Sequence, residues 1–331
     1  MSYDEWKDTA ANANNDAYTV LSGHCSDGTN YLPCYWQNGV RVMLAYENSA
    51  GYNETRGIVL DGDNTYLCGR YYNGTASNAC YWKNRSLVKV DIEDRSQESY
   101  IIDLAVSGGV FFLCGHESNG INTHACYWIN KTKHALSLPP GITDSYAYGI
   151  AVESETFDFY ICGYYVLSGT MYACCWKNGG ECITLISPAT GSVTNTLAIS
   201  NGNVYIGGFY KYGTTSFPCY WVNGSLINLP YTPVSGAIVY AITIYDGSIY
   251  AAGEGGLVSW KESSILWEDS STTGSLRAIS RYDNDLYLAG FKGTYPNCTP
   301  YFSKNGSEIT LSLPPSYTLG AAWGAVVRAK R

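Results

Sequence analysis

Twelve cysteines and four histidines are the residues of this chain with the most obvious chemistry to offer. Three cysteine pairs recur at one spacing: Cys68 with Cys80, Cys114 with Cys126, and Cys162 with Cys174. Each pair falls on two short apolar runs divided by a turn, so its sulfurs are expected to face each other across a hairpin. One disulfide per hairpin is the first chemistry this suggests. If Cys114 faces Cys126, then His116 faces His124 in the same register, and two thiolates with two imidazoles are a zinc donor set. Neighbours on a flat ladder do not converge on one point, however, and no loop folds these four together. The disulfide reading also meets a difficulty. Cys34 and Cys219 hold the same place as Cys80, yet their expected partners are Ser22 and Gly207. Along the chain the partner position reads Ser, Cys, Cys, Cys, Gly, Ala, Ala. Smallness is what it demands, and a free Cys serves as a small buried hydrophobe. Cys25, Cys175, Cys182 and Cys298 lie outside this pattern.

The elements that carry these cysteines recur. A short apolar run ends in glycine at Gly23, Gly69, Gly115, Gly163, Gly208, Gly253 and Gly290. Trp36, Trp82, Trp128, Trp176 and Trp221 follow the first five, Trp260 follows the sixth sooner, and Phe302 takes the place in the seventh. A period of about 45 residues belongs to propeller blades or helical arrays. Strand chemistry decides between them. Each repeat holds four runs rich in Val, Ile, Leu, Tyr and Trp, parted by turn residues. In the second repeat these are residues 57–60, 65–69, 79–83 and 86–90. Asn-Gly follows the third run at Asn38, Asn178, Asn223 and Asn305, as a two-residue type I′ hairpin requires. No stretch of ten or more residues repeats with a period of 3.6.

The chain ends count the blades. Repeats two to seven each have a first strand, and the first repeat lacks one. The missing strand reappears as residues 324–327, where it closes a ring. The expectation is an all-β, seven-bladed β-propeller with four antiparallel strands per blade. It spans residues 17–331 as a single domain, and residues 1–16 read as a polar leader outside the fold. That leader carries no apolar stretch of signal-peptide type.

Within such a ring, Cys80 and Trp82 share one face of the third strand and Tyr81 takes the other. Function is expected elsewhere. The longer connections, residues 91–99, 137–147, 230–237 and 312–321, gather at one end, and loops on a rigid scaffold carry binding. The residue before each inner strand lies at that mouth: Arg56, Ile102, Tyr148, Thr196, Tyr240, Arg277 and Trp323, with Asp103 beside them. Arg56, Asp103, Tyr148, Tyr240, Arg277 and Trp323 form the candidate ligand site, suited to a sugar or a short peptide. Packing that merely plugs the channel is the alternative.

Asp103 and Glu254 are the acids to consider for catalysis, which is the lesser expectation. No G-x-S-x-G, H-E-x-x-H or phosphate-binding glycine motif occurs. No cofactor is implied. The net charge is −8, without a basic run, which argues against nucleic acid. No apolar run approaches the ~20 residues that span a bilayer. The chain is expected to act as a monomer.

Two resemblances bear on these repeats. The Gly-Gly of residues 204–213, followed by Tyr220 and Trp221, is superficially similar to a kelch repeat, though one copy alone has the double glycine. Residues 17–331 more closely resemble the uncharacterised bacterial propeller proteins with repeats of the type YxxGxY…ACYWKNG. That resemblance implies an exported or surface protein and no particular activity. The leading expectation is a non-catalytic module that binds a glycan or peptide at the mouth. A hydrolase or lyase using the mouth acids, and a scaffold for a protein partner, are the alternatives.

Overall fold

The computed structural model describes residues 17–187, 189–231, 236–315, 317 and 319–330. The expected polar leader, residues 1–16, lies outside the described residues. Among the described residues, 28 strands form seven four-stranded antiparallel sheets. The inner strands of blades two to seven are Glu54–Asp61, Ser99–Ser107, Asp144–Val152, Gly191–Ser200, Ile238–Tyr245 and Gly274–Tyr282. Blade one takes its inner strand from the far end of the chain, where Leu319–Ala329 pairs with Ala17–Ser26. Each inner strand packs on the next around the full circle. The protein is a seven-bladed β-propeller closed by its C-terminal strand. No helix among the described residues is long and apolar enough to cross a membrane.

The core lies between blades. Among the described residues, eight buried apolar clusters each draw residues from two neighbouring sheets, and the repeated third strand supplies both sides. Cys80 and Trp82 pack toward blade one, whereas Tyr81 and Cys68 pack toward blade three. Trp36, Trp82, Trp128, Trp176, Trp221 and Trp260 are all fully buried. Each indole N–H donates to a backbone carbonyl of the preceding blade or its exit loop, from Trp128 to Asp91 O at 2.6 Å through Trp221 to Ile186 O at 3.0 Å. The tryptophan thus joins blades by area and by one directional bond.

The asparagine of the motif has two uses. Asn38, Asn84, Asn130, Asn178, Asn223 and Asn305 take φ between 47° and 57°, as the tight turn needs. Their Oδ1 atoms accept a backbone N–H at the start of the second strand, as Thr65 N does to Asn84 at 2.9 Å and Phe159 N to Asn178 at 2.8 Å. Blade six uses Glu262 in the same way, accepting from Ile249 N at 2.9 Å.

The cysteine register differs from the expectation by one residue. Cys80 pairs with Gly69 and Cys68 with Tyr81; Cys126 pairs with Gly115 and Cys114 with Tyr127; Cys174 pairs with Gly163. Directly opposed residues share a face, so the two cysteines of each hairpin point to opposite faces of the sheet. Cys114 belongs to the core shared with blade four and Cys126 to the core shared with blade two. All twelve cysteines are free thiols. The zinc set fails on the same geometry: His116 lies with Cys114 on one face, and His124 lies with Cys126 on the other.

The turn between the second and third strands sets that register, in ladders without a break. A separate bulge lies in every inner strand. The ladder slips opposite the repeated glycine, as between Ile101 and Asp103 against Gly115. There the inner strand presses a carbonyl into the second strand. A Cβ on Gly115 would stand 1.8 Å from Tyr100 O, and one on Gly163 would stand 1.9 Å from Tyr146 O. Only glycine leaves room for that approach.

Candidate functional site at the channel mouth

A bulge sets one residue outside the ladder and re-aims its side chain. Around the ring these residues are Arg56, Ile102, Tyr148, Asn195, Tyr240, Arg277 and Trp323. All seven line one cavity of about 580 Å³ in the channel, within the range usual for ligand pockets. In blade five the expectation named Thr196, one residue too late. Leu197 pairs with Ile206 as Ile150 pairs with Ile161, so Asn195 is the bulged residue and Thr196 fills the small position after it. Both still line the cavity.

Two arginines and an indole dominate one side. The Arg56 guanidinium lies 3.6 Å from the Trp323 ring centroid, and Arg277 lies 5.2 Å from it on the blade-seven side. Arg277 also covers the Tyr240 ring at 3.5 Å. Such cation–π stacking orders the guanidinium planes and leaves their edges for hydrogen bonds.

Arg56 is held by a buried network that the sequence reading missed. Its Nε donates to the Tyr100 hydroxyl at 2.5 Å, and its Nη2 lies 3.7 Å from Glu54 Oε1. The same carboxylate oxygen accepts from Arg70 Nε at 3.0 Å and Nη2 at 2.6 Å. Glu54 is wholly buried. Burial opposes its ionisation, but Arg56, Arg70 and His24 outweigh that and hold the carboxyl well below its ordinary value. His24 is wholly buried as well, and burial, with the two arginines, lowers its pKa to about 4 against the pull of Glu54. Trp323 Nε1 donates to His24 Nδ1 at 3.3 Å, which leaves the neutral ring's proton on Nε2.

Asp103 lines the cavity as expected. Its Oδ1 accepts from Leu104 N at 2.9 Å and its Oδ2 from Ile150 N at 3.1 Å. Burial raises its pKa to about 7 in spite of those two bonds. Glu254 stands apart from it. Glu254 is absent from the cavity lining and pairs with Arg277 at 3.6 Å. Tyr148 stacks with Tyr164 at 5.9 Å on the blade-four side, and both line the cavity. Asn195 Nδ2 donates to Val239 O at 2.8 Å. Among the described residues the lining holds three basic side chains, Arg56, Lys211 and Arg277, against the single acid Asp103.

One sequence signal could have found the missed residues. The position after the repeated glycine reads His24, Arg70, His116, Tyr164, Phe209, Glu254 and Phe291. It varies from copy to copy and is polar in most of them, although the two positions before it are small in every copy. Glu54, directly opposite Arg70, holds a place where other blades put Tyr100, Tyr146 or Ile238.

Neither a family model nor a curated protein sequence matches the chain. Among solved structures it is similar to the computationally designed Ika8 protein at 14% identity, over 92% of this chain and 83% of that one, with a TM-score of 0.46. It is similar to virginiamycin B lyase from Staphylococcus aureus at 11% identity, over 82% and 94%, with a TM-score of 0.47. For the GH43 endo-arabinanase from Bacillus licheniformis the values are 11% identity, 76% and 92%, and 0.38. Likeness at this level says nothing about activity in this chain.

Proposed function

We propose that the protein is a binding propeller that takes a glycan at the channel mouth, without catalysis. The observation that carries this reading is the convergence of the seven bulged residues on one cavity. Tyr148 and Tyr164 supply rings on which the apolar face of a sugar can stack, while Trp323 and Tyr240 carry the guanidiniums of Arg56 and Arg277. Arg56, Arg277 and Asn195 supply hydrogen bonds beside those rings. A fixed β-ring presents them, so little ordering is left for the moment of binding.

Asp103 supports a second reading, a hydrolase or lyase. A carboxyl with a pKa near 7 is suited to general acid or base work at neutral pH. It stands without a second acid in the cavity lining, which favours binding over turnover.

A glycan array followed by calorimetry tests the proposal. A retained glycan should lose at least about ten-fold in affinity with Trp323→Ala and with Tyr148→Ala, while the variants keep a cooperative thermal transition. A screen with no glycan retained, or a hit indifferent to both variants, removes the reading. Release of a shortened glycan that Asp103→Asn abolishes would establish the enzymatic one instead.

A further inference from the structure

We infer that a second cavity beside the mouth is an outer subsite for the same ligand, and that this ligand is an acidic oligosaccharide. The inference rests on the glycan reading of the mouth. The second cavity, about 190 Å³, opens over blades two to four and is lined by Arg70, Ser99, Tyr100, His116, Ser118 and Tyr146 among others.

The two cavities share both walls. On one wall, Arg56 of the mouth and Arg70 of the second cavity reach the same oxygen of Glu54. Tyr100 stands between them, its hydroxyl accepting from Arg56 and its ring 4.5 Å from the Arg70 guanidinium. On the other wall, three tyrosines of blade four run from one cavity to the next. Tyr148 and Tyr164 line the mouth, Tyr146 lines the second cavity, and Tyr146 stacks with them at 6.3 and 5.0 Å. A chain of sugars can pass along these rings without leaving aromatic surface.

Charge and unmet hydrogen bonds name the class. Glu54 offsets one of the two part-buried arginines that reach it, so the trio keeps one positive charge. Arg277 Nε and His116 Nδ1 are buried without a hydrogen-bond partner. Glu98, more than half exposed, lies 3.5 Å from Arg70 Nη1 and is the group that an incoming anion would displace. Planar carboxylates match guanidinium edges in bidentate fashion, which suits uronic acid units; sulfate esters carry the same charge on a different shape. A small neutral sugar would leave the arginine edges unmet.

The test is calorimetry with homo-oligouronates of two and five units, their carboxyl-reduced counterparts, and a sulfated neutral pentasaccharide. The five-unit oligouronate should bind at least about ten-fold tighter than the two-unit one, and carboxyl reduction should remove most of that affinity. Tyr146→Ala and His116→Leu should each abolish the gain with length while leaving two-unit binding intact; two variants guard against one that fails to fold. Tighter binding of the sulfated probe would keep the two-subsite inference and name sulfate as the acid. If short ligands bind in a Trp323-dependent way but length adds nothing, or the gain survives both variants, the outer subsite is overturned and the mouth reading stands. If reduced oligomers bind as tightly as acidic ones, the acidic class is overturned. If no oligosaccharide binds, the mouth reading falls with it.

Discussion

Arg56 and Arg277 flank the same indole, yet they are held in opposite ways. Arg56 shares a wholly buried carboxylate with Arg70 and is bonded to Tyr100. Arg277 stacks on Tyr240, and its acid, Glu254, is 41% exposed at 3.6 Å. The first guanidinium belongs to the frame as much as to the site. The second is oriented by rings and by one part-exposed acid, and keeps a buried Nε without a partner among the described residues. A mouth built this way combines a fixed wall on blades one to three with an available donor on blade seven.

The largest expected effect separates the two acids. Glu54→Gln should cost about 3–5 kcal/mol, because two part-buried arginines lose the buried carboxylate they share. Glu254→Gln should cost roughly 0–1 kcal/mol, as exposed pairs do. Urea unfolding of both variants measures the contrast, and equal losses would erase the distinction between the two halves.

Acid should then reach the fixed half first. Burial lowers His24 from about 6.5 to about 4, so between those values the unfolded chain takes up a proton that the folded protein refuses. Stability is therefore lost as pH falls through that window. Glu54, depressed below its ordinary 4.5, contributes stability that is present above that value and lost below it. Asp103 acts in the opposite sense. Raised to about 7, it stays protonated in the fold while the unfolded chain ionises, so its share falls as pH rises from about 4 to about 7. Urea midpoints across pH 3–8 should show His24→Gln flattening the limb between 6.5 and 4. Asp103→Asn should raise stability at pH 8 and leave it unchanged at pH 3.

Ligand binding should divide the arginines differently. Arg277→Ala should weaken binding of an acidic glycan about ten-fold, near 1.4 kcal/mol, with little change in melting. Arg56→Ala should lower both affinity and stability, since Glu54 is left with less charge around it. A stable Arg56→Ala variant would show that Arg70 alone satisfies the carboxylate.

The smallest chemical change, the loss of one hydroxyl, sharpens the same comparison. Tyr100→Phe removes the acceptor of the Arg56 Nε bond and keeps the ring beneath Arg70. It should cost about 1–2 kcal/mol and free Arg56 to behave as Arg277 does. A broadened Arg56 Nε–H signal by NMR is the readout.

Much of the frame was legible because repetition reports it many times over. The glycine closing each apolar run announced a blade in every copy, the tryptophan of the third strand and the asparagine of the turn did so in six each, and the missing first strand announced the closure. The register was not legible. The turn between the second and third strands sets the hairpin register, so Cys114 and Cys126 read as opposed when they point to different cores. A bulge adds one residue without changing any residue type, so Asn195 was passed over for Thr196. The repeated glycine was the trace of that bulge, because a Cβ there meets the carbonyl that the bulge pushes forward.

Local pattern determined the propeller, its seven blades and six of the seven residues that the inner-strand bulges turn into the channel. Those depend on strand period, turn chemistry and count, which neighbours along the chain settle among themselves. Only the closed ring decided that Glu54, Arg70, His24, Tyr100 and Trp323 form one charged network. They come from blades one, two and three and from the far end of the chain. Their meeting depends on how sheets pack face to face, where distance along the sequence sets no limit on who becomes a neighbour.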